Sequence, residues 1–427
     1  PYELSGGQKQ RVSLAGVMVE AVKVLLFDEP LANLDPAAGR TTIELIDMVH
    51  ERTGAAVLII EHRLEDVLWR RMDRIILMDE GAIVADLPTE KLLAGEQLLQ
   101  HGIREPLYLT ALRYAGVEIT EALHPEHVEK LALTREDKEK VRGWYHTQKA
   151  GIRREQHGQE LLRITDLKFG YTAEKVTLQD VNFTIHKGEM VSIVGRNGAG
   201  KSTLAKLICG FEQPVSGSIL MEGRDLKGDT IKERAARIGY VMQNPNQMIS
   251  KPMIWDEVEM ALVLSGMPKE ERTARVEETL RICGLYPFRN WPVSALSFGQ
   301  KKRVTIASIL VQRPQIIILD EPTAGQDYHH YTEIMDFLKE LNGKGYTILM
   351  ITHDMHLMLE YTKRAIVFSE GRMLADTTAA HVLNDPQLVQ EANLKETSLY
   401  TLSLACGIEE PQVFTECFIG YEQKEVR

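Results

Sequence analysis

Gly195-Arg196-Asn197-Gly198-Ala199-Gly200-Lys201-Ser202 is the stretch on which the reading of this chain turns. It has the form G-x-x-x-x-G-K-[ST], follows the apolar run Val191 to Val194, and leads into a helix-forming stretch, Thr203 to Ile208. Strand, glycine-rich loop and helix in that order form a phosphate cradle. Glycines let the backbone wrap closely, and loop N–H groups and the helix N-terminus point at the anion. Lys201 is then placed to neutralise β- and γ-phosphate charge, and the Ser202 hydroxyl to ligate Mg²⁺.

Working outward, Asp320-Glu321 ends the apolar strand Ile316 to Leu319. A strand-end carboxylate pair in a unit that already holds a phosphate loop fits two tasks. Asp320 would hold Mg²⁺, and Glu321 would polarise an attacking water as general base. His353 ends the strand Ile348 to Thr352, where it could meet a γ-phosphate.

The same pieces occur twice. Leu4-Ser5-Gly6-Gly7-Gln8-Lys9-Gln10-Arg11-Val12 returns as Leu296-Ser297-Phe298-Gly299-Gln300-Lys301-Lys302-Arg303-Val304, and Asp28-Glu29-Pro30 returns as Asp320-Glu321-Pro322, both at an offset of 292 (296 − 4 and 320 − 28). His62 and His353 follow at 291 (353 − 62). Gly195 lies 101 residues before Leu296 (296 − 195), so the same spacing places a first phosphate loop about 97 residues upstream of Pro1. The sequence therefore reads as a tandem protein whose first hundred or more residues lie outside it, with Asp28, Glu29 and His62 belonging to an incomplete first site.

These motifs resemble the ABC ATPase family, whose pattern runs P-loop, glutamine loop, LSGGQ signature, strand-end Asp-Glu, D-loop and switch histidine. The matching positions are Gly195 to Ser202, Gln243, Leu296 to Gln300, Asp320-Glu321, Gly325-Gln326-Asp327 and His353. Tyr171 matches the aromatic that stacks on adenine in the family, and the resemblance spans residues 1–95 and about 160–395. It implies an α/β fold, a P-loop NTPase of ABC type in tandem units, with ATP and Mg²⁺ as cofactors. It also implies Glu321 and His353 as catalytic residues, and Ser202, Gln243 and Asp320 around the metal. ATP would be held by Tyr171, Gly195, Arg196, Asn197, Gly198, Ala199, Gly200, Lys201, Ser202, Thr203, Gln243 and Asp320, together with Ser5, Gly6, Gly7 and Gln8. The last four enter because family members pair with pseudo-twofold symmetry, each ATP lying between one P-loop and the other unit's signature. Two departures stand out: Phe298 where the first signature glycine belongs, and Gln326 where the D-loop has Leu, as Leu34 does in the first unit. A bulky side chain at 298 hinders close approach to phosphate, so unequal sites are expected.

The rest of the chain narrows the class. A net charge of −11 argues against a nucleic-acid partner bound through a broad basic surface. No run approaches the roughly 18 apolar residues of a membrane span. The four cysteines share no metal-like spacing and suit a reducing compartment, which leads to the expectation of a soluble protein working at the cytoplasmic face of the cell membrane. We expect the first unit's C-terminal part at 1–95, a helical connector at 96–158, a complete second unit at 159–395 and a C-terminal extension at 396–427. His124 and His127 read as a solvated turn, and His329-His330 as an exposed helix start.

Gln243-Asn244-Pro245-Asn246-Gln247 resembles the extended glutamine loop of energy-coupling-factor importers, which take up vitamins and transition metals. Two fused ATPase units with an intervening connector resemble the single-chain form of that importer's motor, which implies integral membrane transport and substrate-binding partners, with thiamine or its hydroxymethylpyrimidine precursor among the candidate cargoes. Two alternatives stay open. A tandem ABC ATPase acting on ribosomes needs a strongly basic inter-unit arm, whereas Glu126 to Glu155 holds eight Lys/Arg against six Asp/Glu. A regulatory protein that binds ATP without turnover is the other.

Overall fold

Apolar residues at every position of a short run require cover on both faces of a strand, and the second half of the chain supplies it. The computed structural model describes all residues except 1–11, 14, 18–21, 32–33, 150–157, 173–174, 324–327 and 427, and leaves the side chains of 328, 329, 425 and 426 undescribed. The expected signature residues Ser5, Gly6, Gly7 and Gln8, and the D-loop at 325–327, lie outside the described residues.

Contacts group the chain into two units: Pro1–Arg154 with Asp327–His329 and Ala380–Arg427, and Glu155–Gln326 with His330–Ala379. Residues 380–395, expected in the second unit, thus fall with the first, as do the connector and the C-terminal extension.

In the first unit, β1 (Val24–Asp28) pairs in parallel with β2 (Ala56–Ile60), and β3 (Arg74–Asp79) forms an antiparallel hairpin with β4 (Ala82–Pro88). The crossover from β1 to β2 is the helix Pro36–Thr53. Asp35 starts it by accepting from the Ala38 N–H at 2.9 Å, and Gly54 ends it in the left-handed region. Its face carrying Ile43 and Ile46 packs with Leu31 and Val67 against Phe27, Val57 and Ile59. Residues 96–158 include the helices Leu107–Tyr114 and Arg135–Lys149. The second of these is joined to the C-terminal helix Pro411–Tyr421 by an edge-on Trp144–Phe414 ring pair, and Arg142 Nε donates to the Cys406 carbonyl at 2.6 Å.

The second unit holds the remaining strands. β5 (Glu160–Phe169), β6 (Leu178–His186), β8 (Ser216–Met221) and β9 (Arg224–Asp225) make an antiparallel sheet in the order β6-β5-β8-β9. The central sheet contains β7 (Met190–Gly195), β10 (Ile238–Val241), β11 (Ile316–Asp320), β12 (Thr347–Ile351), β13 (Arg364–Ser369) and β14 (Arg372–Thr378). Its order is β10-β11-β12-β7-β13-β14, parallel except for β14. Ile316, Ile317, Ile318 and Leu319 are all fully buried, which explains the unbroken apolar run. Because β7, β10, β11 and β12 run the same way, the segments that leave their C-terminal ends collect along one edge of the sheet.

Candidate functional site

The phosphate loop is that edge's first contribution. Gly195 ends β7 at φ 138°, and a Cβ there would lie 1.9 Å from the Phe368 carbonyl oxygen on the neighbouring strand, so no other residue fits. The loop continues through Arg196, which pairs with Glu370 at 3.2 Å, Asn197, Gly198 and buried Ala199, whose N–H donates to the Arg196 carbonyl. Gly200 caps the helix Lys201–Cys209. Lys201 Nζ donates to the carbonyls of Gly195 at 2.7 Å and Arg196 at 3.0 Å, which holds the ammonium over the loop. Thr203 is buried, and its hydroxyl lies 3.3 Å from the hydroxyl of Tyr171. Tyr171 is 54% exposed, and its ring stands nearly perpendicular to that of Phe169.

Asp320 ends β11 beside this loop. Its carboxylate accepts from the Tyr240 hydroxyl at 2.8 Å and from Ser202. Burial pushes the Asp320 carboxyl up, with the Glu321 charge adding to the effect and the Tyr240, Ser202 and Lys201 contacts opposing it. A divalent cation would reverse that direction by stabilising the anion. The donor set suits magnesium: two hard oxygens, from a hydroxyl and a carboxylate, leave the remaining positions to water and phosphate oxygens. No cluster of three or more His, Cys, Asp or Glu suited to a metal ion occurs among the described residues. A nucleotide-bridged magnesium needs none.

Glu321 follows with φ 48° and donates its N–H to the Ile351 carbonyl at 2.9 Å. Its Oε1 lies 2.7 Å from His353 Nδ1, with both side chains mostly buried. A carboxylate at that distance requires the hydrogen on Nδ1. The pair is positioned to orient a water and to sense an anion: the carboxylate as base, the imidazole as a donor fixed in place by it.

In the first unit the same local geometry returns in part. Glu29 has φ 44° and donates its N–H to the Ile60 carbonyl at 2.9 Å, as Glu321 does to Ile351, and Asp28 ends β1. His62 differs from His353, lying 3.4 Å from Glu61 Oε1 and 3.9 Å from Glu29 Oε1. Glu61 stands where the second unit has Thr352, and the extra carboxylate draws the ring toward itself.

Two residues at the site escaped the sequence reading. Tyr240 lies in β10 and belongs to no motif, and its bond to Asp320 joins residues 80 positions apart. Lys302 is 1% exposed and donates to the carbonyls of Met242 at 3.0 Å and Gln243 at 2.7 Å. A lysine at the edge of the apolar run Val304 to Leu310 was the available signal. Burial pulls its ammonium down to about 8, with Asp320 and Glu321 pulling the other way.

Fold and site together define a P-loop ATPase of the ABC type, and comparison with known proteins agrees. A family described as ABC transporter matches residues 1–32 and 178–324, and one described as ATP-binding cassette cobalt transporter matches residues 96–169. An ABC transporter ATP-binding protein of Enterococcus faecalis is 59% identical over 431 residues, covering 100% of this chain and 75% of its own length. One from Clostridium perfringens is 57% identical over 423 residues, covering 99% and 74%. Among solved structures, cbiO1 of Clostridium perfringens, part of the ABC transporter complex cbiONQ, superposes at a TM-score of 0.51 with 33% identity over 55% of this chain and 95% of its own. The chain belongs to the family of ABC transporter ATP-binding proteins. ATP-binding domains of this family are ATPases that bind ATP with Mg²⁺.

Proposed function

We propose that this chain is the motor subunit of an energy-coupling-factor type importer, hydrolysing ATP at the membrane to move a transition-metal ion. The observation that carries the cargo class is the match of residues 96–169 to the family described as ATP-binding cassette cobalt transporter, reinforced by the likeness of 55% of the chain to cbiO1. Thiamine or its hydroxymethylpyrimidine precursor is the second cargo reading, from the likeness of two fused ATPase units with an intervening connector to the single-chain form of that motor. Among the described residues no helix is long and apolar enough to cross a membrane, so the pathway for cargo would belong to integral membrane partners.

Within this reading, Tyr171 stacks on adenine, the loop Gly195 to Ser202 and Thr203 enclose the phosphates, and Ser202, Asp320 and Gln243 hold magnesium. The bound metal spreads charge off the β- and γ-phosphates. Glu321 takes the proton of the attacking water, and His353 steadies the anion that develops. Asp28, Glu29 and His62 of the first unit would serve a separate nucleotide site.

Purification of the protein from membranes in mild detergent, followed by mass spectrometry and uptake of labelled cobalt and thiamine, tests the proposal. Co-purifying integral membrane proteins with ATP-dependent cobalt uptake support it, and thiamine uptake alone moves the cargo to the second reading. Ribosomal proteins in place of membrane partners overturn it.

A further inference from the structure

We infer that Lys302 is a positioning residue for ATP hydrolysis: it holds the start of the glutamine loop to the signature helix and thereby sets where Gln243 stands. The signature helix Phe298–Leu310 lies directly on β10, so close that a Cβ on Gly239 would sit 2.0 Å from Ile309 Cγ2. Beyond that packed stretch, β10 ends at Val241 and the chain turns into the loop. At that point Lys302 crosses from the helix and donates to two successive carbonyls, Met242 at 3.0 Å and Gln243 at 2.7 Å. A buried ammonium needs acceptors, and here the backbone of the loop supplies them.

Two bonds to adjacent carbonyls fix peptide orientation, not merely distance. The Gln243 side chain leaves the backbone between those two peptides, so its direction follows from the strut. Tyr240 on β10 and Asp320 on the neighbouring strand β11, joined at 2.8 Å, mark the sheet edge, β10 pairing with β11 from Ile238↔Ile316 to Val241↔Leu319. Lys302 thus ties the signature helix to the first two carbonyls of the glutamine loop. The repeat supplies a natural alternative donor, since Gln10 occupies the position matching Lys302. An amide can still donate to one of the two carbonyls.

The inference rests on the assignment of Gln243 to the nucleotide site, and a double-mutant cycle in the intact protein separates the two. Lys302→Met is expected to lower kcat about tenfold while changing the Kd for ATP less than about threefold, because misplacement of a group by about 1 Å costs rate and not affinity. In a Gln243→Ala background the same change should have an effect under about twofold, since its target is gone. Lys302→Gln, which keeps a donor and guards against loss of fold, should retain kcat within about threefold of the unaltered protein. An equal loss of kcat from Lys302→Met in both backgrounds overturns the inference and leaves Gln243 in place. If Gln243→Ala alone leaves kcat unchanged, the assignment and the inference fall together.

Discussion

Glu321 sits at φ 48°, in a region that costs a non-glycine residue about 1 kcal/mol, and its repeat counterpart Glu29 sits at φ 44°. The strain turns each glutamate out of its strand while its N–H still pairs with the adjacent strand, and in the second unit it delivers the carboxylate to His353. Glu321→Gln keeps the shape and removes the base. We expect nucleotide affinity to persist and turnover to drop by at least about a hundredfold, measured as phosphate release at saturating ATP. Unchanged turnover would remove Glu321 from the base role. The buried thiols respond to pH in a way that follows from their surroundings. Burial pushes Cys209 and Cys283 up to about 12, so the folded state keeps protons that the unfolded chain loses near pH 9. From pH 9 upward the unfolded state binds fewer protons than the folded one, and stability falls with rising pH. The loss is about 1 kcal/mol per thiol by pH 10. Urea unfolding at pH 8 and pH 10 should show it, and a Cys209→Ala/Cys283→Ala variant should show less of it.

At the scale of elements, the helix Lys201–Cys209 is held from behind. Arg234 is 2% exposed and donates to the carbonyls of Leu207 at 2.9 Å and Ile208 at 3.2 Å, in the helix's last turn, and to Leu226 at 2.6 Å. A buried cation at the C-terminal end complements the helix dipole whose other end faces the phosphate loop. Arg234→Met should destabilise the second unit by about 3 kcal/mol in urea unfolding, because three carbonyls lose their donor inside the core. Nothing in the sequence pointed to this arginine: its role depends on contacts to residues up to 27 positions away. The strands were legible for the opposite reason, since an apolar run of four or five beside a glycine-rich turn is a local signal. What the run cannot tell is whether both faces are covered. Val24, Leu26, Leu58 and Ile60 are all at least 48% exposed, whereas their matched partners Ile316, Ile318, Leu349 and Ile351 are buried in one cluster with Leu204, Leu207 and Ile208 of the P-loop helix. Ile318→Ala should lower stability by about 2–5 kcal/mol in urea unfolding. A cost under about 0.5 kcal/mol would show that this cluster does not hold the sheet to the P-loop helix.

At the scale of the whole molecule, the candidate site reads from the sequence wherever a motif is contiguous, as from Gly195 to Ser202, and disappears where it depends on pairing across strands, as with Tyr240. The proposed division of labour between two nucleotide sites rests on both kinds of feature. Phe298 opens the signature helix, and its side chain is 41% exposed where a glycine would leave the backbone open to a phosphate. Behind it, Ser297 and Gln300 are bound to each other: the Gln300 N–H donates to Ser297 Oγ at 3.3 Å, and the Ser297 N–H to Gln300 Oε1 at 3.0 Å. A nucleotide approaching this signature must displace an aromatic ring and compete with a closed capping box. The first unit's signature, with Gly6 and Gly7, carries no such side chain. The site built on Lys201 should then carry most of the turnover of the intact protein. Lys201→Ala should lower ATP hydrolysis at least about tenfold, since it removes a cation aimed at the charge that develops during transfer. Adding Phe298→Gly to that variant should restore part of the rate by opening the other site. If Lys201→Ala leaves turnover unchanged, or Phe298→Gly restores nothing to it, the two sites are not divided in this way.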